Sequence, residues 1–391
     1  MIGAGIFAAL APAAEAAGAG LLVGLAVAGA VAYANATSSA QLAALHPESG
    51  GTYVYGRERL GRFWGFLAGW GFVVGKIASC AAMALTFGHY AAPSFARPLA
   101  VAAVVAVVAV NLVGIDKTAG VTRAIVAVVL AALGLVVAAS LLGGQADADR
   151  LSPLLERGGV HGVLQAGGIL FFAFAGYARI ATLGEEVRDP ERVIPRAIPL
   201  ALGLTLLVYG GVALSALLAA GGDALAASAA PLRTAVEAGS LAELAPAVRV
   251  GAAVASLGVL VSLVAGVSRT AFAMADNREL PHGLSAVHPR SRVPHRAELV
   301  VGAIVVGVVA LADVRSAIGF SSFAVLVYYA ITNAAALTLS ARERRWPRAL
   351  AVLGLLGCVT LALTLPLEAV AAGAGTLALG AALYVVARRS R

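Results

Sequence analysis

Charge is scarce in this sequence, so an ionisable residue inside an apolar stretch stands out. Lys76 lies in the run 63–90. At 1.5 Å per helical residue it sits about 20 Å from Phe63, near the middle of a bilayer core about 30 Å thick. A lysine at that depth cannot readily snorkel to water and is a candidate for moving a proton. The alternative is a lysine bonded to backbone carbonyls that only pins a bundle. Two further stretches carry chemistry in their backbone. Gly3-Ala4-Gly5 interrupts an apolar run, and a helix resuming there presents free N–H groups and a positive dipole end, which suits a carboxylate. Phe171, Phe172 and Phe174 crowd around Ala173, Ala175 and Gly176 in a second interrupted run. A helix ending there leaves free carbonyls, a negative end that suits an ammonium group. A zwitterion fits between two such poles. Helix packing is the competing explanation for each motif taken alone.

Polar residues that close the second run add a third candidate. Arg179, Glu185 and Glu186 come after the phenylalanines, and the two acids lie just before Arg188 and Asp189-Pro190. They fit an inner-gate ion pair, or a solvated helix terminus. His46, His282, His288 and His295 fall in loops without metal-ligand spacing and are expected to be solvated. Asn111 and Asn333 are expected to hydrogen-bond neighbouring helices.

These residues must be positioned by helices in lipid. Of 391 residues, 60% are hydrophobic and 12% charged. A soluble chain carries about 25% charged residues. The apolar segments are approximately 1–17, 18–44, 63–90, 97–115, 119–143, 160–186, 195–220, 246–276, 297–312, 316–341, 348–365 and 368–387. Most approach the roughly 20 residues that cross a bilayer. A helix in lipid must satisfy its own backbone, so an interruption survives only where it is buried or lines a cavity. Breaks at corresponding places in two halves point to an inverted repeat with a central site.

The loops give orientation. Arg57, Arg59 and Arg62, Arg290, Arg292 and Arg296, Arg342, Arg344, Arg345 and Arg348, and the terminal Arg388, Arg389 and Arg391 share one side. The other holds Arg97, Arg150, Arg157, Arg233, Arg249 and Arg315. The positive-inside rule puts the rich side, and both termini, in the cytoplasm. A formal net charge of +8 is therefore explained without nucleic acid, and no basic module with interleaved aromatics is present. Cys80 and Cys358 sit inside apolar runs and suggest neither a disulfide nor a metal site. No nucleophile–base pair or phosphate loop is visible, so catalysis is not expected, and no cofactor is.

Four stretches in order resemble the amino acid–polyamine–organocation (APC) permeases. MIGAGIF at Met1–Phe7 resembles the Gly-x-Gly break of that family's first helix. HPESGGTYVYGRERLG at His46–Gly61 is similar to its first large cytoplasmic loop. FFAFAGYARIATLGEEVRDPERVIPRAI resembles its sixth helix and the loop after it. SRTAFAMADNRELPHGLSAVHPRSRVPHRA at Ser268–Ala297 is similar to the end of its eighth helix and the loop beyond.

The resemblance implies an all-α polytopic membrane protein of about twelve helices in the leucine-transporter fold. Residues 1–143 would form the first five-helix repeat, 160–341 the inverted second, and 348–387 two additional helices, all in one domain. The first helix reads as incomplete at its N-terminus, because the family has more residues before the break. The resemblance assigns the carboxylate side of an amino acid site to Ile2, Gly3, Ala4, Gly5 and Ile6. It assigns the amine side to Phe171, Phe172 and Ala173, with Phe174 and Gly176 beside them and Phe172 at the place of an aromatic gate. The sixth run is expected to be non-helical within 172–177 and to lie beside Gly3–Gly5. Some proton-coupled members use a lysine in the fifth helix; the matching stretch, Ile125–Val137, has none, which leaves Lys76 as the candidate. The function these features imply is proton-coupled import of neutral amino acids across the plasma membrane, the inner membrane of a bacterium. An amino acid or amine exchanger, a non-transporting sensor and an inactive remnant stay open, as does the oligomeric state.

Overall fold

The computed structural model describes residues 2–46, 50–114, 119–177 and 190–389. Arg179, Glu185 and Glu186 lie outside them. The described residues form helices joined by short turns, and there are no strands among them. In chain order the helices are α1 (Gly5–Ala17), α2 (Leu21–Leu45), α3 (Thr52–Leu60), α4 (Arg62–Ala91), α5 (Ala96–Val113), α6 (Ala119–Leu142) and α7 (Gly159–Phe174). They continue with α8 (Pro190–Ala227), α9 (Pro231–Glu237), α10 (Ala245–Asp276), α11 (His295–Leu311), α12 (Val314–Leu337), α13 (Arg348–Thr364) and α14 (Leu367–Arg389).

Among the described residues, eight stretches are long and apolar enough to cross a membrane, one of them the continuous run Gly5–Leu45 that contains both α1 and α2. Gly159–Phe174 and Arg348–Thr364 are apolar but shorter. Local signals set several ends. Asp313 caps α12 by accepting from the Ser316 amide at 2.8 Å, in a capping box. Gly114 ends α5 in the left-handed region, at φ 77°. Gly221 breaks α8 near its end with φ 78° and ψ 162°.

The helices pack as two groups. In one, α7 lies against α1 and α2, and α8 against the same pair. In the other, α4 packs on α5 and α10, and α11 on α5 and α4. Helix α12 lies against α4 and touches α2 and α7, so it joins the groups. Small residues allow the close approaches, as membrane helices without a hydrophobic drive between them require. A Cβ on Gly24 would meet the Val163 carbonyl of α7 at 2.8 Å, and one on Gly75 would meet Ala324 Cβ of α12 at 2.8 Å.

Buried polar groups tie the groups together. Asn333 of α12 donates to Asn35 of α2 at 2.6 Å, and Asn35 donates to Cys358 of α13 at 3.2 Å. Ser79 of α4 meets Ser321 of α12 at 2.6 Å. Thr52, at the start of α3, meets Thr332 of α12 at 2.6 Å and donates its amide to the Tyr328 hydroxyl at 3.0 Å.

Candidate functional site

The two backbone motifs come together. Helix α1 begins at Gly5, with Ala4 at its cap and no side-chain cap bond. Its first amides are the orphan donors of any helix start, and here they are inside the protein. Gly3, Ala4 and Ile6 are buried, and Ile2 and Gly5 partly so. The partner element is the end of α7. A Cβ on Gly5 would lie 2.6 Å from Ala173 Cα and 3.0 Å from Ala173 Cβ. The side-chain space at Gly5 is therefore filled by α7: this glycine lets two broken helices touch.

The second run does not break where the sequence suggests. Residues 172–177 are expected from sequence to be non-helical, but α7 continues through Phe174 and then tightens into the 3-10 turn Ala175–Tyr177. The Ala175 amide still donates to the Phe172 carbonyl, so the helix closes by narrowing. Phe171, Ala173 and Phe174 are buried, Phe172 is partly buried and Gly176 is exposed. Phe171 packs edge-on to Tyr329 of α12, with ring centroids 5.8 Å apart.

One residue that sequence reasoning misses stands at this junction. Tyr209 of α8 is fully buried. Its hydroxyl accepts from the Gly3 amide at 3.4 Å and donates to the Ala173 carbonyl at 3.4 Å. Its ring packs on Phe174, with centroids 5.5 Å apart. A single tyrosine in an apolar run leaves no pattern in sequence, so only the fold brings it here.

Lys76 is separate from this junction by helix and by chemistry. It is 6% exposed on α4, seven residues after Gly69, whose missing side chain would meet Met274 of α10. That spacing puts Lys76 on the same, α10-facing side of α4. Among the described residues no hydrogen bond from its ammonium is found. Cys80 lies one turn further on, within electrostatic reach of both Lys76 and Glu298 of α11. Glu298 is a second residue that sequence reasoning misses. It is 3% exposed and accepts from Asn111 of α5 at 2.6 Å; Asn111 also donates to the Val261 carbonyl of α10 at 3.4 Å. Its place close to the start of an apolar run makes it look like a loop acid.

The two ends of the bundle carry different polar networks. At the arginine-rich end, Arg59 of α3 donates to Glu343 at 2.7 Å and to His46 Nε2 at 3.1 Å. Hydrogen bonding to the Arg59 guanidinium, helped by the Ser340 amide, holds the Glu343 carboxyl down to about 2. His46 is thus a partner of Arg59 and not merely solvated; His288, likewise, bonds Ser291 and packs on His295 at 5.7 Å. At the opposite end, Arg315 of α12 pairs with Glu15 of α1, and Arg157 pairs with Asp223 of α8. A cavity of about 320 Å³ opens there, lined by Ala8, Ala11, Pro12, His89, Ser228, Asp313 and Arg315. A larger one, about 1150 Å³, runs along α4, α11, α12 and α14 and is lined mostly by apolar side chains such as Val73, Ile77, Val300 and Ile304. Neither is lined by Gly3, Gly5, Ala173 or Lys76.

Known proteins are similar to this chain along most of its length. Residues 1–372 match the family model described as Amino acid permease. A protein of Mycobacterium tuberculosis described as an uncharacterized transporter is 62% identical over all of this chain and 90% of its own length. A serine/threonine exchanger of Bacillus subtilis is 26% identical over 83% of this chain and 76% of its own. A branched-chain amino acid permease of the same organism is 23% identical over 89% of this chain and 80% of its own.

Proposed function

The chain belongs to the amino acid permease family, multi-pass membrane transporters and not enzymes, and from that premise we propose that it is a secondary active carrier of neutral amino acids. The observation that carries the reading is the junction of α1 and α7, where a helix start and a helix end meet inside the bundle. In this reading the substrate carboxylate takes amides at Gly3–Ile6, and its ammonium takes carbonyls at Phe171–Ala173. Each pole then meets the opposite charge, and no charged side chain is needed. The neutral side chain packs toward Phe172, Phe174 and Gly176.

The packing of α1, α2, α7 and α8 mainly on one another, and of α4, α5, α10 and α11 mainly on one another, supports a five-plus-five inverted repeat, with 1–143 and 160–341 as its halves and α13 and α14 added. In that arrangement the first group rocks against the second around the junction. The pairs Glu15–Arg315 and Arg59–Glu343 lie at opposite ends and are suited to close each end in turn. The excess of arginines puts the Arg59 end and both termini in the cytoplasm of a bacterial cell. Protons drive import, with Lys76 as the coupling group. Its burial, and the acid Glu298 within electrostatic reach of the same Cys80, support this assignment.

The exchanger among the relatives favours a second reading, obligatory exchange of one amino acid for another. Uptake of a radiolabelled amino acid panel into proteoliposomes separates the two. Accumulation driven by a pH gradient into empty vesicles supports symport, and uptake only into vesicles preloaded with amino acid supports exchange. Uptake of no amino acid under either condition refutes both.

A further inference from the structure

The groove of about 1150 Å³ is not lined by Gly3, Gly5 or Ala173, so the junction leaves it unused. Two helix faces wall it. Trp70, Val73 and Ile77 stand on α4, and Val300, Ile304 and Val308 on α11, each set at the three- and four-residue spacing of one face. Val300 and Ile304 are 43% and 47% exposed. On α11 the lining runs from Ala297 to Val308, about 16 Å and so close to half of a bilayer core about 30 Å thick. The arginine-rich end of the groove differs from its walls. Leu284, which lines it there, belongs to the turn His282–Ser285. A Cβ on Gly283 of that turn would lie 3.8 Å from Arg296 Nη1. Arg296 directly precedes the lining residue Ala297 and is exposed, and among the described residues no hydrogen bond or ion pair engages it. Arg290 and Arg292 of the same loop are exposed as well, and residues 277–296 hold four arginines against the single acid Glu279. Trp64, 45% exposed and packed on Phe63, places an aromatic belt at the same end of α4.

We propose that this groove is a binding site for an anionic phospholipid, with an acyl chain laid between α4 and α11 and the phosphate on Arg296. The chemistry of the two parts selects the occupant. Apolar walls one leaflet deep suit a chain, and a mouth with an excess of guanidinium suits a phosphate that brings no cation of its own. Basic pockets between membrane helices hold anionic headgroups in this way. A zwitterionic lipid places its ammonium group against the same arginines and is disfavoured. A second copy of the chain is disfavoured too: two-fold pairing across this face sets both arginine-rich mouths at one membrane level, cation against cation. The proposal requires a chain that sits in a bilayer and does not depend on the transport reading above.

Trp70 makes the occupant observable. The sequence holds three tryptophans, Trp64, Trp70 and Trp346, so Trp64→Phe with Trp346→Phe leaves the groove residue as the one fluorophore of its kind. The full chain with these two changes is placed in phosphatidylcholine vesicles that contain a minor fraction of phosphatidylglycerol or of phosphatidylcholine with brominated chains, which quench tryptophan on contact. Phosphatidylglycerol is expected to associate at Trp70 about fivefold more strongly than phosphatidylcholine, the worth of one arginine beside anionic lipid. Arg296→Gln is expected to bring the two lipids to equality with the melting temperature unchanged, since the side chain is exposed. Arg97→Gln, at the opposite end of the bundle, is expected to keep the preference. Equal association of the two lipids before Arg296 is changed overturns the proposal and leaves ordinary bilayer contact. A preference that survives Arg296→Gln overturns it as well. Quenching by neither lipid, with a dimer mass in light scattering, overturns it in favour of a second copy on this face. The chain with its native tryptophans gives an independent reading by mass spectrometry of the lipid retained after detergent exchange. Phosphatidylglycerol kept by the wild type and lost from Arg296→Gln supports the site, and equal retention by both contradicts it.

Discussion

The junction of α1 with α7 and the surroundings of Lys76 are both buried and polar, yet they are built from opposite materials. At the junction the polarity belongs to backbone termini and one neutral hydroxyl, and the neighbouring side chains are Ala173, Phe174 and Tyr209. Around Lys76 it belongs to side chains: the ammonium has Cys80 one turn on, and Glu298, held by Asn111, lies within electrostatic reach of that same cysteine. A backbone pole is fixed and cannot titrate, so it can hold a zwitterion but cannot follow pH. A buried ammonium is costly and can give up its proton, so it can follow pH. The proposed division of labour between substrate and proton rests on that difference.

The comparison breaks most visibly at Gly5. Any Cβ there meets Ala173 Cα at 2.6 Å, so Gly5→Leu must push α1 away from α7. Such overpacking costs about 1–3 kcal/mol or more. Uptake is expected to be abolished, and Gly5→Ala is expected to impair it strongly. Native uptake by Gly5→Ala, measured on matched amounts of folded protein, would show that the two breaks are not held together as described.

Asn111→Ala tests the other region. It leaves the Glu298 carboxylate buried without its donor, which costs about 1–3 kcal/mol. A lower melting temperature with unchanged affinity for amino acid is expected, since the junction is built separately. Loss of affinity at constant stability would join the two regions into one site.

The smallest effect is expected at neither region but at the arginine-rich end. The carboxyl of Glu343 is held at about 2 by Arg59, below its ordinary value of 4.5. A depressed folded value means that the contribution to stability is complete above pH 4.5 and is lost as pH falls toward 2. Glu343→Gln should remove that part of the acid slope in a pH series of melting temperatures. An unaltered slope would show that the Arg59 contact contributes nothing in solution.

How much of this is legible in sequence depends on whether a residue breaks a pattern. Gly3, Gly5 and Lys76 are visible because each violates the composition of the run around it. The helix groups are foreshadowed by apolar run lengths and by the family's order. The expected non-helical stretch 172–177 is misjudged: phenylalanines and alanines are compatible with a helix, which runs through Phe174 and then tightens into a 3-10 turn, the Phe172 carbonyl still accepting from the Ala175 amide. Tyr209 conforms to its apolar run and gives no signal. Glu298 stands near His295 and Arg296, where an acid looks solvated until α5 brings Asn111 to it. Three-dimensional closure, and not residue type, gives both of these their chemistry.

The central claim is that the junction holds the substrate and Lys76 handles the proton. Lys76→Ala, with Lys76→Arg beside it because guanidinium does not release its proton in this range, tests it most directly. Equilibrium binding of amino acid and uptake with and without an imposed pH gradient are measured on the same folded preparations. The account predicts that both variants bind with near-native affinity and that neither responds to the gradient. Gradient-driven uptake that persists in Lys76→Ala would contradict it.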